Sequence, residues 1–284
     1  MRLEPLQIYS APNFRGFTAP LFGFSACVSQ GEIDDGAGKV HQCYIKAYPT
    51  AGDRLVGEIL LWGLSRLRGL DAPDWACLVL VPASALAEVW DFDWEGVWGD
   101  FVPCFATSSL IGDAPPSARR PYPSKTKLRK WVQVDEAIAL MEWLANSDAN
   151  KSNLVYIPMS SSAVRFGIID GGGCLCLSED RPTLTIEGLE ALLPTSPTCQ
   201  VYNKLSAATY GAAPNNAAIK RIASAAQQHL AVLEQAEEFL TKELTRILED
   251  GGLVYNLIRT LKNRAQLPWL PGAIHANRKE FALS

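Results

Sequence analysis

The sequence predicts an α+β fold, with an antiparallel sheet unit first and a mainly helical unit after it. Short apolar runs separated by turn-rich segments occupy residues 6–48, and such runs are typical of strands. From residue 84 onward, helical spacing of apolar residues and long loops predominate. The 284 residues, 48% of them apolar, suffice for the cores of two small lobes. We therefore predict two domains, residues 1–83 and 84–284.

The first domain is predicted to open with an antiparallel meander of strands at residues 6–10, 20–28 and 41–48. Turn-rich segments at residues 11–13 and 31–38 separate these strands. In the third strand, alternation puts Lys46 on the face opposite Ile45 and Ala47, and hence toward a cleft if the other face packs. The alternative is an edge-strand lysine that faces water.

A helix is predicted at residues 53–67, and Glu58 lies in its early turns. A strand lysine followed by a helix glutamate is the ion pair that fixes the lysine on the α- and β-phosphates in kinases. Alternatively, Glu58 is stabilised by the helix dipole alone. Residues 77–82 form a buried strand that runs into a hinge, where backbone groups around Val81 are expected to meet an adenine ring.

The second domain carries the most informative stretch, residues 146–173. A helix at residues 134–144 leads into it, and two short strands joined by residues 158–162 predict a hairpin. Asp148 and Asn153 then lie at the hairpin's entrance and Asp170 at its exit. Phosphoryl transfer needs such a set: one carboxylate to take a hydroxyl proton, and an amide with a second carboxylate to hold Mg²⁺. Further helices are predicted at residues 185–193, 217–248 and 253–262.

The order of these elements resembles the HipA-like branch of the protein kinase superfamily, whose catalytic loop reads Asn-x-Asp-x-x-x-x-Asn. The matching residues are Lys46, Asn146, Asp148, Asn153 and Asp170. The resemblance covers roughly residues 6–200 and implies a two-lobed protein-kinase-like fold with ATP in the cleft. It also implies Asp148 as the catalytic base, Asn153 and Asp170 as Mg²⁺ ligands, and Lys46 on the phosphates.

Members of that family include serine/threonine kinases that act as toxins of bacterial toxin–antitoxin pairs. The resemblance therefore implies a protein substrate and an antitoxin or partner subunit. The catalytic loop departs from the family pattern, since Ala149 and Asn150 stand where Arg-His is common. Lys151 follows the aspartate by three residues, and we expect it to replace the missing cation near the γ-phosphate. There is no G-x-G-x-x-G motif; only Gly16 and Gly23 lie in the segment expected to cover the phosphates.

The amino-acid composition argues against some classes of function. A net charge of -4 offers no electrostatic footprint for nucleic acid as the main ligand. The absence of a long apolar run argues against a membrane segment. Seven cysteines scattered through apolar segments fit reduced core thiols in a cytoplasmic protein.

Two other functions remain open on sequence grounds. One is a small-molecule kinase of the aminoglycoside or choline kinase type, with an acidic acceptor pocket supplied by Asp91, Asp93, Glu95 and Asp100. The other is a non-catalytic pseudokinase that uses the cleft as an interaction module, which the substituted Ala149 and Asn150 favour.

Overall fold

The computed structural model describes residues 3–21, 27–49, 53–110, 123–157, 163–175, 184–193, 203–211 and 215–266. Contacts divide these residues into two compact units. The sheet unit comprises residues 4–55 and 73–119, and the helical unit comprises residues 56–72 and 120–284 together with Leu3, in each case as far as described. The predicted α+β class, with a sheet-forming part and a mainly helical part, is confirmed.

The sheet unit is built on six strands in the order β1-β5-β6-β4-β3-β2. The strands are β1 Gln7–Tyr9, β2 Phe14–Leu21, β3 Cys27–Asp34, β4 Val40–Ala47, β5 Ala76–Pro82 and β6 Phe101–Ser108. All neighbouring pairs are antiparallel except β1 and β5, which run parallel. Helix α1 (Asp53–Leu67) follows β4, and the short helices α2 (Ala83–Ala87) and α3 (Trp94–Trp98) lie between β5 and β6. Ile33, Ile45, Val79, Val81 and Trp94 belong to the unit's apolar core.

The meander is shifted along the chain from its predicted position. It is formed by β2, β3 and β4, while β1 pairs with β5 instead of with its neighbour in sequence. The predicted strand at residues 20–28 spans the end of one strand and the start of the next. Gly31, predicted to begin a turn, lies inside β3, where a Cβ would come within 2.7 Å of Ile45 Cδ1. Gly31 therefore packs within the sheet and does not begin a turn.

Strand β6 was not predicted, and it lies beyond the domain boundary predicted at residue 83. Residues from 84 onward were expected to be helices and loops, but β6 pairs with both β5 and β4, for example Val102 with Val81 and Ala106 with Ile45. The described residues 84–110 therefore lie in the sheet unit.

The helical unit contains most of α1 and the described elements that follow β6. These are α4 Lys125–Lys130, α5 Val134–Trp143, β7 Leu154–Ile157, β8 Arg165–Ile168, α6 Ile186–Ala191, α7 Lys204–Tyr210, α8 Asn216–Ala226, α9 His229–Leu248 and α10 Gly251–Ala265. The helix predicted at residues 134–144 and the hairpin strands are present as α5, β7 and β8. The predicted hairpin turn, residues 158–162, lies outside the described residues.

The single helix predicted at residues 217–248 is two helices. Gln227 and Gln228 separate α8 from α9, where the buried His229 side chain contacts the Ala139 carbonyl and stacks on Trp143. These two contacts fix the start of α9 and explain the interruption. Among the helices that the structure describes, none combines the length and apolar character needed to cross a membrane.

Gly251 and Gly252 lie between the helices predicted at residues 217–248 and 253–262, and in the structure they open α10. The preceding helix ends at Leu248, after which Glu249 takes the left-handed conformation with φ 52°. The Asp250 side chain then caps α10 by accepting from the backbone N–H groups of Gly252 and Leu253.

Candidate active site

The loop after α5 is held in place by Asn146, which is 1% exposed. Its side-chain amide lies 3.2 Å from Met141 Sδ, and its Oδ1 accepts the backbone N–H of Asp148 at 2.9 Å. Ala145, just before it, is in the left-handed region with φ 47°, which turns the chain out of the helix. Asn146 therefore fixes the backbone that carries Asp148.

The Asp148 carboxylate accepts from two side-chain amides of its own loop. Asn150 Nδ2 donates to Asp148 Oδ1 at 2.6 Å, and Asn153 Nδ2 donates to Oδ2 at 3.1 Å. Both amides also donate to the Asp148 carbonyl, at 3.1 and 2.7 Å respectively. The Asp148 side chain keeps 34% exposure. It is thus an oriented carboxylate that still meets solvent, as a general base requires.

Asp170 is linked to the same loop through the hairpin. Strand β7 pairs with β8 in the register Leu154 to Ile168, and the Ile169 N–H donates to the Asn153 carbonyl at 3.2 Å. Asp170 is the next residue, and its Oδ1 accepts the Gly172 N–H at 3.2 Å. The ladder therefore brings the segment that carries Asp170 alongside Asn153.

The glycines that follow Asp170 allow this segment to pack against the Asp148 loop. The Ser147 N–H donates to the Gly173 carbonyl at 3.0 Å. A Cβ on Gly173 would lie 2.7 Å from Asn146 Oδ1 and 2.8 Å from Asp148 Cβ. Only glycine fits at this distance, so Gly173 is required by the close approach of the two segments.

Gly171 makes a similar approach to helix α1. A Cβ on Gly171 would lie 2.3 Å from the Gly57 carbonyl oxygen and 2.8 Å from Glu58 Cα. Glu58 itself is 3% exposed. The turn of α1 that carries Glu58 thus packs directly against the residue after Asp170.

The structure brings together Asp148, Asn153 and the segment of Asp170, with the Glu58 turn beside them, all in the helical unit. Lys151 lies at an exposed position of the 3₁₀ turn Lys151–Asn153. Lys46, 6% exposed, lies on β4, and the fully buried Val81 lies on β5, both in the sheet unit.

The four carboxylates considered for an acidic acceptor pocket, Asp91, Asp93, Glu95 and Asp100, all lie at exposed positions of the sheet unit. Asp93 caps α3, since its Oδ1 accepts the Gly96 N–H at 2.9 Å. These observations do not favour an enclosed acidic pocket at this place.

Two residues around Asp148 were missed by the sequence analysis. Asn150 was noted only as a departure from the family pattern, yet its amide donates to the carboxylate. Lys204, the first residue of α7, places Nζ 3.9 Å from Asp148 Oδ1. Lys204 is far from Asp148 along the chain, so no local motif indicated this contact.

Comparisons with known proteins found similarity among solved structures. No protein-family model matches the sequence, and no curated protein matches it significantly. The chain is similar to a solved structure described as a Helicobacter pylori proinflammatory kinase, CtkA, with 11% identity over 92% of this chain and 99% of that chain, at a TM-score of 0.45. The correspondence at that score is loose, and the functional proposal rests on the side chains described above.

Proposed function

We propose that the protein is an ATP- and Mg²⁺-dependent phosphotransferase with a hydroxyl group as acceptor. The observation that carries the proposal is the joining of Asp148, Asn153 and the Asp170 segment by hydrogen bonds within one compact unit. A carboxylate that meets solvent, an amide and a second carboxylate are the side chains that phosphoryl transfer uses.

Asp148 is the proposed general base. An acceptor hydroxyl within hydrogen-bond distance of Oδ1 or Oδ2 would give its proton to this carboxylate as its oxygen attacks the γ-phosphorus of ATP. The amides of Asn150 and Asn153 hold the carboxylate from two sides. Its orientation is therefore set before substrate arrives, which lowers the entropic cost of reaching the reactive geometry.

Asn153 and Asp170 are the proposed Mg²⁺ ligands. Both offer the hard oxygen donors that this ion prefers, and bound Mg²⁺ would neutralise charge on the nucleotide phosphates. Because Asn153 donates through Nδ2 to Asp148, its Oδ1 is left for another partner, and the Ser152 hydroxyl lies 3.3 Å from it. The described residues contain no cluster of three His, Cys, Asp or Glu side chains that could hold a metal ion. The proposed site therefore relies on Asn153 and Asp170, and the substrate and water would supply the other ligands.

Lys46, Glu58 and Val81 remain proposed nucleotide-site residues on the ground of the sequence pattern. Lys46 is buried with 6% exposure and Glu58 with 3%. We assign Lys46 to the α- and β-phosphates, Glu58 to the support of that lysine, and the backbone near Val81 to the adenine.

The acceptor is proposed to be a serine or threonine hydroxyl of another protein. This assignment follows the HipA-like resemblance of the catalytic loop, which also suggests an antitoxin or partner subunit. The exposed positions of Asp91, Asp93, Glu95 and Asp100 give the small-molecule alternative less support.

A nucleotide-binding module without transfer is the second candidate. The short bond from Asn150 Nδ2 to Asp148 Oδ1, 2.6 Å, favours it, because an amide on that oxygen competes with an acceptor hydroxyl. The two candidates differ in one respect: only the first moves phosphate.

Transfer of label from γ-labelled ATP tests the proposal. The parent protein with Mg²⁺ is expected to label a protein acceptor, itself or an added serine-rich protein, and Asp148→Asn is expected to abolish labelling. Glu234→Gln, an exposed acid on α9, is the matched control and should label like the parent. Nucleotide binding by the parent without any labelling would support the second candidate and contradict the first.

A further inference from the structure

Helix α7 is anchored to the catalytic loop at its first turn. The Leu205 N–H donates to the Ala149 carbonyl at 2.6 Å. On the other side of Lys204, Asn203 Nδ2 donates to the Ile138 carbonyl of α5 at 3.2 Å, and Asn203 Oδ1 caps the helix by accepting the Ser206 N–H at 2.8 Å. The backbone of Lys204 is thus held from both sides by bonds to α5 and to the residue after Asp148.

The anchoring fixes where the Lys204 ammonium can lie. Its Nζ is 3.9 Å from Asp148 Oδ1, and the two side chains keep 45% and 34% exposure. An ion pair this exposed contributes little to folding. The neighbours Asn203, 6% exposed, and Leu205, fully buried, account for the docking of α7. The docking of α7 therefore positions the Lys204 cation beside Asp148.

Ala149 and Asn150, the two residues at which the catalytic loop departs from the HipA-like pattern, have other roles. Ala149 is 1% exposed, and its carbonyl accepts from α7. Asn150 orients Asp148 through its amide and caps the following 3₁₀ turn by accepting the Ser152 N–H at 2.7 Å. Neither residue can carry a positive charge, so a cation for the transferred group has to come from elsewhere.

We infer that Lys204, and not Lys151, supplies the positive charge at the transferred phosphoryl group. The inference rests on the proposed function. An acceptor oxygen that is hydrogen-bonded to Asp148 is close to the Lys204 ammonium as well, because that ammonium lies beside Oδ1. When the acceptor oxygen approaches the γ-phosphorus, a non-bridging oxygen of the γ-phosphate then comes within reach of the same ammonium.

The step balances without any further reactant. The bond from the acceptor oxygen to the γ-phosphorus forms, and the acceptor proton passes to Asp148. The bond from the γ-phosphorus to the β,γ-bridging oxygen breaks, and ADP leaves with that electron pair. Lys204 stays protonated throughout and donates to the non-bridging oxygens, where a fixed cation stabilises the transition state.

Two measurements on the full chain test the inference. The first is the single-turnover rate of label transfer, and the second is the ratio of Mg·ATP to Mg·ADP affinity, which reports a contact to the γ-phosphate without any reaction. The variants are Lys204→Met, Lys204→Arg and the rival Lys151→Met. Lys242→Met, an exposed lysine on α9, is the control, and thermal unfolding verifies the fold of each variant.

Lys204→Met is expected to slow transfer about 100-fold and to reduce the preference for ATP over ADP, while Lys204→Arg keeps most of both. Lys242→Met should match the parent. Parent-like transfer and affinity ratio in Lys204→Met, or losses confined to Lys151→Met, would overturn the inference and leave the proposed function standing. If the parent binds ATP and transfers nothing, the enzyme proposal fails, and the affinity ratio alone decides on Lys204. A parent that binds no nucleotide would overturn both.

Discussion

The side-chain amide of Asn153 donates to the backbone carbonyl of Asp148 at 2.7 Å and to its Oδ2 at 3.1 Å. The proposed base and a proposed metal ligand are therefore held in one geometry by a single side chain. Changing Asn153 should disturb both of their functions.

Asn153→Ala is expected to lower the free energy of unfolding by about 2 kcal/mol, because Asp148 loses the two hydrogen bonds that this amide donates to its carbonyl and its Oδ2. It should also abolish Mg²⁺-dependent nucleotide binding. Urea unfolding and calorimetric titration measure the two effects. Asn256→Ala removes an amide that donates to the Gly252 carbonyl of its own helix, and it serves as the control. Equal nucleotide affinity in the two variants would refute the role of Asn153.

Gly171→Ala is expected to disrupt the approach of α1 to the Asp170 segment, since the added methyl group would lie 2.3 Å from the Gly57 carbonyl oxygen. Backbone atoms on both sides have to shift. We expect a lower melting temperature together with weaker Mg²⁺-dependent ATP binding. Gly251→Ala, where a Cβ meets nothing within 4 Å, should leave both quantities unchanged. A Gly171→Ala protein that melts and binds like the parent would contradict this packing.

Arg264 is expected to be essential for stability. Its guanidinium is buried with 2% exposure and donates to the carbonyls of Trp143, Leu192 and Glu142 at 2.7, 2.7 and 2.6 Å. The bonds to Glu142 and Trp143 cap the C-terminal end of α5, which leads into the Asp148 loop, and the bond to Leu192 lies at the end of α6. Arg264→Met should therefore cost about 3 kcal/mol or more in urea unfolding, because buried carbonyls lose their donors. Arg259→Met, at an exposed position of the same helix, should cost far less.

Stability is expected to fall in mild acid because of His229. Burial, and next the charge of Arg68, lower the pKa of His229 to about 3. In the unfolded chain the ring takes up a proton near pH 6.5, so only the unfolded state gains protons between these values. The stability that neutral His229 contributes is complete above about pH 6.5 and declines as the pH falls toward 3, by up to ~1.4 kcal/mol per pH unit. The free energy of unfolding, measured from pH 7 to pH 4, should depend less steeply on pH in His229→Gln than in the parent. His41→Gln should keep the parent's pH dependence. The same slope in both variants would count against His229.

Elements with strong local signals were predicted well from the sequence. The apolar stripe of α5 and the two runs of the hairpin gave both elements, and with them the place of Asp148, Asn153 and Asp170 along one loop and one hairpin. Strand β6 was missed because Pro103 and the neighbouring tryptophans mask its alternation, and its pairing with β4 and β5 depends on distant residues.

Tertiary contacts explain what else the sequence could not reveal. The break between α8 and α9 falls at two glutamines, which are good helix formers, and is explained by the buried contacts of His229. The position of Lys204 beside Asp148 depends on the docking of α7 through Leu205 and Asn203. No periodicity in the sequence reports such a contact.

The central claim assigns turnover to Asp148 and metal-dependent binding to Asp170. Its most direct test is calorimetric titration with ATP, in the presence and absence of Mg²⁺, beside single-turnover transfer in the parent, Asp148→Ala and Asp170→Ala. We expect Asp148→Ala to bind Mg·ATP like the parent and to transfer nothing, and Asp170→Ala to lose the Mg²⁺-dependent part of binding. Equal loss of binding in both variants, or transfer by Asp148→Ala at the parent's rate, would contradict the account.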